Sequence, residues 1–262
     1  MRVSVLLYHD VIRGCDRGAS GFSGPGAQRF KLGWDRFVEH LDGVGVATAA
    51  APVTVDDMVA RRAPDGAWAI TFDDGGESAL AAGEELARRG WRGHFFCVSD
   101  RIGEPGFLDA EGIVALDRMG HVIGSHSRSH PARISASPWK RMVEEWRASA
   151  ERLGELVGRP ITSGAVPGGF YSPALARAAG AAGLAALFTS EPVRSLRSVD
   201  GCAVIGRYAV LAQTPAHTAA AAAAGRPRPW LTQRAGWTAR KVPKQIAGDS
   251  YPRLRARLLA RR

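Results

Sequence analysis

A regular exchange of short apolar runs with amphipathic segments constrains this chain more than any other feature. Residues 3–8, 68–72, 93–98, 121–125, 161–166, 184–189 and 203–210 read as strands, and 45–50 as a further extended stretch. Between them, residues 34–41, 55–62, 77–89, 109–119, 137–157 and 172–182 carry helical patterning. Asp109 is placed as an N-cap, Ser137-Pro138 and Ser172-Pro173 as helix openings with Pro at the favoured first turn. Strand and helix alternate six or seven times, which predicts a parallel α/β fold. A chain of 262 residues, 45% of them hydrophobic, is long enough to bury one large core.

In parallel α/β folds the chemistry gathers just after strands, and three motifs sit there. The first is Asp73-Asp74-Gly75-Gly76, which ends the apolar run Ala69-Ile70-Thr71-Phe72. Successive strand side chains point to opposite sides, so the two carboxylates are expected in different environments. One can bind a cation while the other stays free as a base; a solvated turn is the plain alternative. The second motif, His126-Ser127-Arg128-Ser129-His130-Pro131, spaces two imidazoles at i and i+4. On one helical turn they would reach a single cation. Together with Asp74 they form a two-His, one-carboxylate set suited to zinc, cobalt, nickel or iron(II). The third is Pro167-Gly168-Gly169, a tight turn or a backbone that can approach a substrate.

These motifs, in this order and spacing over roughly residues 1–210, resemble the polysaccharide deacetylase family, the NodB-homology domain of carbohydrate esterase family 4. The resemblance implies a distorted parallel (β/α) barrel of about seven strands. It also implies removal of N- or O-acetyl groups from a sugar polymer with one divalent metal ion, usually zinc. Asp73 would then be the general base, Asp74, His126 and His130 the metal ligands, and Gly168 and Gly169 part of an oxyanion site. Two departures stand out. Ala165 occupies the place where many members carry an Arg that pairs with the base, and no late Leu-x-His motif is present. Tyr8-His9-Asp10 is similar to a branch that carries the acid at the N-terminus, so His9 is expected to protonate the leaving amine, with His217 as the alternative. Arg207 is a candidate stand-in for the missing Arg, with a surface position at a strand end as its plain reading.

The remaining polar and aromatic residues have plainer readings. His94 is expected to be structural, and His40 and His121 to be solvated at element ends. Trp34, Trp91, Trp139 and Trp146 read as packing residues. Phe22 and Phe107, in loops, offer flat surfaces to a sugar. Residues 13–33 are glycine-rich and long for a connection, which suits a functional or a disordered loop.

The formal charge of +10 lies wholly at the C-terminal end. Residues 226–262 hold eleven Lys/Arg and one acid, Asp249, whereas residues 1–225 balance 24 basic against 24 acidic side chains. The expected organisation is a catalytic domain over 1–225 and a basic extension over 226–262, with Arg226-Pro227-Arg228-Pro229 as a linker. Leu254 and Leu258 with the arginines at 253, 255, 257, 261 and 262 fit a basic amphipathic helix, lying on an anionic membrane surface or packed on the barrel. No nucleic-acid motif supports the third use of such charge. Residues 1–9 read as a first strand rather than a signal peptide, and three widely spaced cysteines suggest no disulfide framework. The expected location is therefore cytoplasmic, free or membrane-peripheral, with an acetylated glycan or lipid-linked sugar as substrate. A small-amide hydrolase on the same scaffold, or a non-catalytic glycan- or membrane-binding protein, are the competing readings.

Overall fold

Trp68–Phe72 is buried at every position, as is Ser4–Tyr8, which pairs with it in parallel from Ser4↔Trp68 to Tyr8↔Phe72. Strands buried on both faces must be covered on both: the alternating helices cover one face, and the curl of the sheet packs the other on itself. The computed structural model describes residues 1–247 except Cys15 and Arg17. Its first half runs β1 (Ser4–Tyr8), β2 (Val11–Ile12), α1 (Pro25–Gln28), β3 (Leu32–Gly33), α2 (Trp34–Ala47), α3 (Val55–Val59), β4 (Trp68–Phe72), α4 (Ser78–Arg88), β5 (His94–Cys97) and α5 (Ala110–Arg118). Then follow β6 (Val122–Ser125), α6 (Trp139–Val157), β7 (Ser163–Ala165), α7 (Pro173–Ala181), β8 (Ala186–Phe188), β9 (Arg197–Val199), β10 (Cys202–Ile205), β11 (Tyr208–Ala209), α8 (Ala216–Ala223) and α9 (Pro227–Ala247).

Nine strands form one curled sheet in the order β11-β1-β4-β5-β6-β7-β8-β10-β9. Every pairing is parallel except β10 with β9. The distorted (β/α) barrel is thus present, with eight parallel strands rather than about seven. The difference arises at residues 203–210, expected as one strand. Gly206 splits it, because a Cβ there would stand 2.4 Å from the Val193 carbonyl and 2.5 Å from that of Glu191. Strand alternation divides the core in two. Val5, Ala69, Phe96, Phe188 and Ile205 pack on the concave side, while Leu6, Ile70, Phe72, Phe95 and Leu187 meet the helices.

Packing overrides local preference elsewhere. Residues 45–50 are not extended as expected: α2 runs on to Ala47 despite Gly43 and Gly45. This stretch of α2 packs against α8 and Trp91, with Ala220 Cβ 3.5 Å and Trp91 3.4 Å from where Cβ atoms on Gly43 and Gly45 would stand. Tertiary contact of this kind outweighs the helix penalty of glycine, about 1 kcal/mol each. Asp109 caps α5 through the Gly112 N–H at 2.8 Å, and Ser172 caps α7 through the Leu175 N–H at 3.2 Å. At α6 the expected Ser137 cap does not form; Pro138 itself stands at the N-cap.

His40 and His121 are not solvated but fully buried, with both ring nitrogens engaged. His40 meets the Tyr8 hydroxyl at 3.1 Å and the Thr214 carbonyl at 2.9 Å. His121 accepts from the Gly93 N–H at 3.1 Å and donates to the Gly83 carbonyl at 2.9 Å. His94 is buried in the same manner, between the Val55 N–H and the Ile70 carbonyl. Trp146 is buried as a packing residue should be, whereas Trp139 is 47% exposed.

The Arg226–Pro229 segment is no linker, since Pro227 opens α9 and Trp230 is buried against Tyr208. The leucines and arginines from 253 to 262 lie outside the described residues. Among the described residues no helix is long and apolar enough to cross a membrane.

Candidate active site

Asp73 and Asp74 leave the end of β4 together, yet both face one cleft, contrary to the expectation from strand alternation. Asp74 has φ +79° and Gly75 φ +72°, so the chain abandons the extended conformation at once. A left-handed non-glycine residue costs on the order of 1–3 kcal/mol and persists only where its surroundings impose it. Here the turn packs against β5, and a Cβ on Gly75 would lie 3.1 Å from Cys97.

The histidines converge on the same point by a different route from the helical turn expected. Residues 126–130 form a loop after β6 with Ser127 at φ +63° and His130 at φ +53°. Serines hold it from within: Ser125 Oγ accepts the Ser127 N–H and Ser127 Oγ accepts the His130 N–H, each at 3.1 Å. From outside, the buried Glu145 of α6 accepts the Ser129 N–H and the Ser129 hydroxyl, both at 2.8 Å. No motif marks Glu145 as a site residue, although an acid in the apolar stripe Met142-Trp146-Ser149-Leu153 of α6 is a signal.

His126 donates from Nδ1 to the Ala165 carbonyl at 2.9 Å, which turns Nε2 toward Asp74 Oδ1 at 3.3 Å. His130 Nε2 lies 3.6 Å from the same oxygen. One ligand atom from each of Asp74, His126 and His130 falls within 4.8 Å of the others. The donor set fits a divalent cation: two imidazoles and a carboxylate at one point, with one imidazole oriented by a backbone carbonyl as metal-binding histidines are. Burial pushes the Asp74 carboxyl up, but His126, His9 and His130 hold it well below the usual carboxylate range. Burial and the neighbouring His126 lower His130 to about 4, so a lone pair is available at neutral pH.

Asp73 has a different partner. Arg207, fully buried, donates to Asp73 Oδ1 at 2.6 Å and Oδ2 at 2.8 Å in a fork, and also to Thr71 Oγ1 and the Thr189 carbonyl, each at 3.1 Å. The plain reading of Arg207 as a surface residue is therefore wrong. The break at Gly206 lets it turn inward, beside the rings of Phe96 and Phe188. Burial alone would raise the Asp73 carboxyl; Arg207 and then His126 bring it below its ordinary value.

His9 follows β1 and lines the same cleft, its ring tilted against that of Phe30 with centroids 4.4 Å apart. Its buried Nδ1 has no hydrogen-bond partner among the described residues. His217 sits exposed on α8 and does not line the cleft. Gly168 (φ +62°) and Gly169 (φ +72°) do line it, while Pro167 is buried behind them. A Cβ on Gly169 would strike Ser190 Oγ at 2.3 Å.

Asp10 ties Ser20 of the glycine-rich loop to Ser78 of α4, accepting from Ser20 Oγ at 2.6 Å and Ser78 Oγ at 3.2 Å beside the buried Lys31. Close to Ser20 in the chain, Phe22 lies against His130, with centroids 4.6 Å apart, and Phe107 supports Phe22 edge-on from outside the cleft. The cleft measures about 950 Å³. α9 also reaches it, through Gln233 and Trp237, two residues that charge patterning alone places in the basic extension.

Residues 60–187 match the sequence family described as polysaccharide deacetylase. The sequence matches no curated protein. Among solved structures the chain is similar to the Streptococcus pyogenes deacetylase PplD in complex with acetate, at TM-score 0.69 and 14% identity over 82% of this chain and 95% of that one. It is similar to IcaB from Ammonifex degensii at TM-score 0.68 and 22% identity, over 85% and 97% of the two chains. A de-N-acetylase from Aggregatibacter actinomycetemcomitans aligns at TM-score 0.67 and 16% identity, over 82% and 97%. At such identities these likenesses are likenesses of fold. The matched segment carries both aspartates, both histidines and the Pro-Gly-Gly turn on that fold, and it is this segment that is similar to the polysaccharide deacetylase family.

Proposed function

We propose that this chain hydrolyses the N-acetyl group of an amino sugar within a glycan. The observation that carries the reading is the juxtaposition, in one cleft, of the Asp74/His126/His130 donor set and the Asp73–Arg207 pair. A divalent cation held by Asp74, His126 and His130, with zinc the first candidate, would polarise the acetyl carbonyl and acidify a water. Asp73, kept ionised and pointed by the Arg207 fork, takes the proton of the attacking water. Gly168 and Gly169 line the cleft without side chains, so their main-chain N–H groups are the candidate donors to the acetyl oxygen. The scissile C–N bond then breaks and His9 supplies the proton that the departing amine requires. A buried ring nitrogen without a partner suits this task, because a polar atom removed from water stays costly until substrate or water reaches it. An amine is a poor leaving group unless protonated, which makes the amide, more than the ester, the substrate that needs His9.

The test is acetate release from N-acetylglucosamine oligomers by the full chain, with and without a chelator. Release that stops in chelator and returns with added zinc supports the reading. No release from any acetylated sugar, metal present, would refute it.

A further inference from the structure

We infer that the C-terminal helix α9 is part of the active site and that Trp237 is the aromatic wall on which a ring of the glycan stacks. The inference rests on the deacetylase reading and adds a specificity-determining residue from outside the segment that matches the family, which ends at residue 187.

Trp230, Gln233 and Trp237 are spaced i, i+3, i+7, one stripe of a helix. Each does a different task along that stripe. Trp230 is the anchor: it is 5% exposed, packs edge-on against Tyr208 of β11 and donates to the Ala222 carbonyl at 3.0 Å. Gln233 sets the register. Its side-chain amide donates to the Ala209 carbonyl and accepts the Ala209 N–H, both at 2.8 Å. It thereby satisfies the open edge of β11 as a neighbouring strand would, and an edge strand covered in this way no longer invites another chain. With two points fixed, the next turn carries Trp237 into the wall of the cleft that also contains His9, Asp73 and Asp74.

Trp237 is half-buried and lines the open cleft. At about 950 Å³ this cleft is at the upper end of the usual range for ligand sites, roughly 300–1,000 Å³, with room for more than one sugar ring. The apolar face of a pyranose offers C–H groups to a flat indole, whereas a small acetyl ester has nothing to place there. A specificity element that touches sugar and not the acetyl group should change binding and leave the chemical step alone.

The experiment compares the full chain with Trp237→Ala, Trp237→Leu and Trp237→Phe, on N-acetylglucosamine oligomers and on 2,2,2-trifluoroethyl acetate, an activated ester without a ring, with bound metal measured in each. Trp237→Ala and Trp237→Leu should raise KM for the oligomer about tenfold, equivalent to about 1.4 kcal/mol. That is what a sugar covering roughly a third of an aromatic side chain would give. Neither variant should change kcat more than about twofold, the metal content, or kcat/KM for the trifluoroethyl ester, and Trp237→Phe should recover most of the loss. Leu231→Ala, on the exposed face of α9, should match wild type. If Trp237→Ala does not fold, Trp237→Leu keeps the bulk and still removes the flat ring. Unchanged oligomer KM in a folded variant, or an equal loss on the trifluoroethyl ester, overturns the role of Trp237 while leaving the deacetylase reading intact. A wild-type chain that releases no acetate from any sugar overturns both.

Discussion

Replacing Arg207 by Met tests the centre of the site most directly, since Met fills similar volume and offers no donor. Arg207 is fully buried and makes two charge-assisted bonds to Asp73, which is itself only 5% exposed. Removing one partner of a buried ion pair strands the other charge, at a cost of about 3–5 kcal/mol. The Thr189 carbonyl also loses its guanidinium donor, for about 1 kcal/mol more, whereas Thr71 keeps its bond to the Leu6 carbonyl. The total of about 4–6 kcal/mol is a large share of the roughly 5–15 kcal/mol that holds a domain folded. For a chain of this size it corresponds to a fall in Tm of roughly 8–24 °C. Measurement belongs in chelator, where no cation can compensate Asp73. The double variant Arg207→Met/Asp73→Leu should regain most of the loss, because an apolar pair of similar volume needs no desolvation of charge. Arg207→Lys should fall between, keeping the charge without the fork. Turnover in Arg207→Met should drop at least about a hundredfold, as the stranded carboxyl takes up the proton that a base must lack. A single variant within about 1 kcal/mol of wild type, or a double variant no more stable than the single, would refute the reasoning.

Three further outcomes are expected. Asp73→Asn should retain bound metal and lose turnover by a factor on the order of 10²–10⁴, while Asp74→Asn and His126→Ala lose the metal as well; metal analysis beside acetate release separates them, and equal metal loss would sink the division of roles. Glu145→Ala should weaken zinc affinity on the order of tenfold by releasing the loop that carries His130, with Glu145→Gln milder, as read by competition with a chelating dye; unchanged affinity would make Glu145 purely a packing residue. His94 takes its proton near 6.5 when unfolded but only at about 4 in the fold, where burial disfavours its charge. Its contribution is therefore complete above about pH 6.5 and is lost as pH falls toward 4, some 3 kcal/mol in all; His94→Gln should flatten that part of the stability–pH curve, and parallel curves would count against it.

The basic C-terminal end has a lipid surface as its candidate partner. We propose that residues 248–262, with five arginines and one acid, add affinity for anionic lipid. A truncation after residue 247 is the form to compare in vesicle co-sedimentation, because one after 225 would also remove Trp230, Gln233 and Trp237 from the domain. Equal binding of the two forms to anionic vesicles at low salt would refute the proposal.

By itself the sequence determined the alternation of strand and helix, and hence a parallel sheet with its chemistry at the strand ends. It also singled out Asp73, Asp74, His126, His130 and His9, because carboxylates and imidazoles after apolar runs are local signals. Only the tertiary structure decided how these groups meet. Asp74 shares a cleft with Asp73 through a left-handed turn that strand alternation does not anticipate. The histidines converge in a strained loop held at Ser129 by Glu145, which lies 16 positions further along the chain on another element. Arg207 reaches Asp73 across 134 positions of sequence, through a strand break made by the close approach of the Val193 and Glu191 carbonyls to Gly206. α9 joins the site because a glutamine side chain fits the free edge of β11. Each of these depends on a partner distant along the chain, and periodicity, capping and spacing carry no information about such partners.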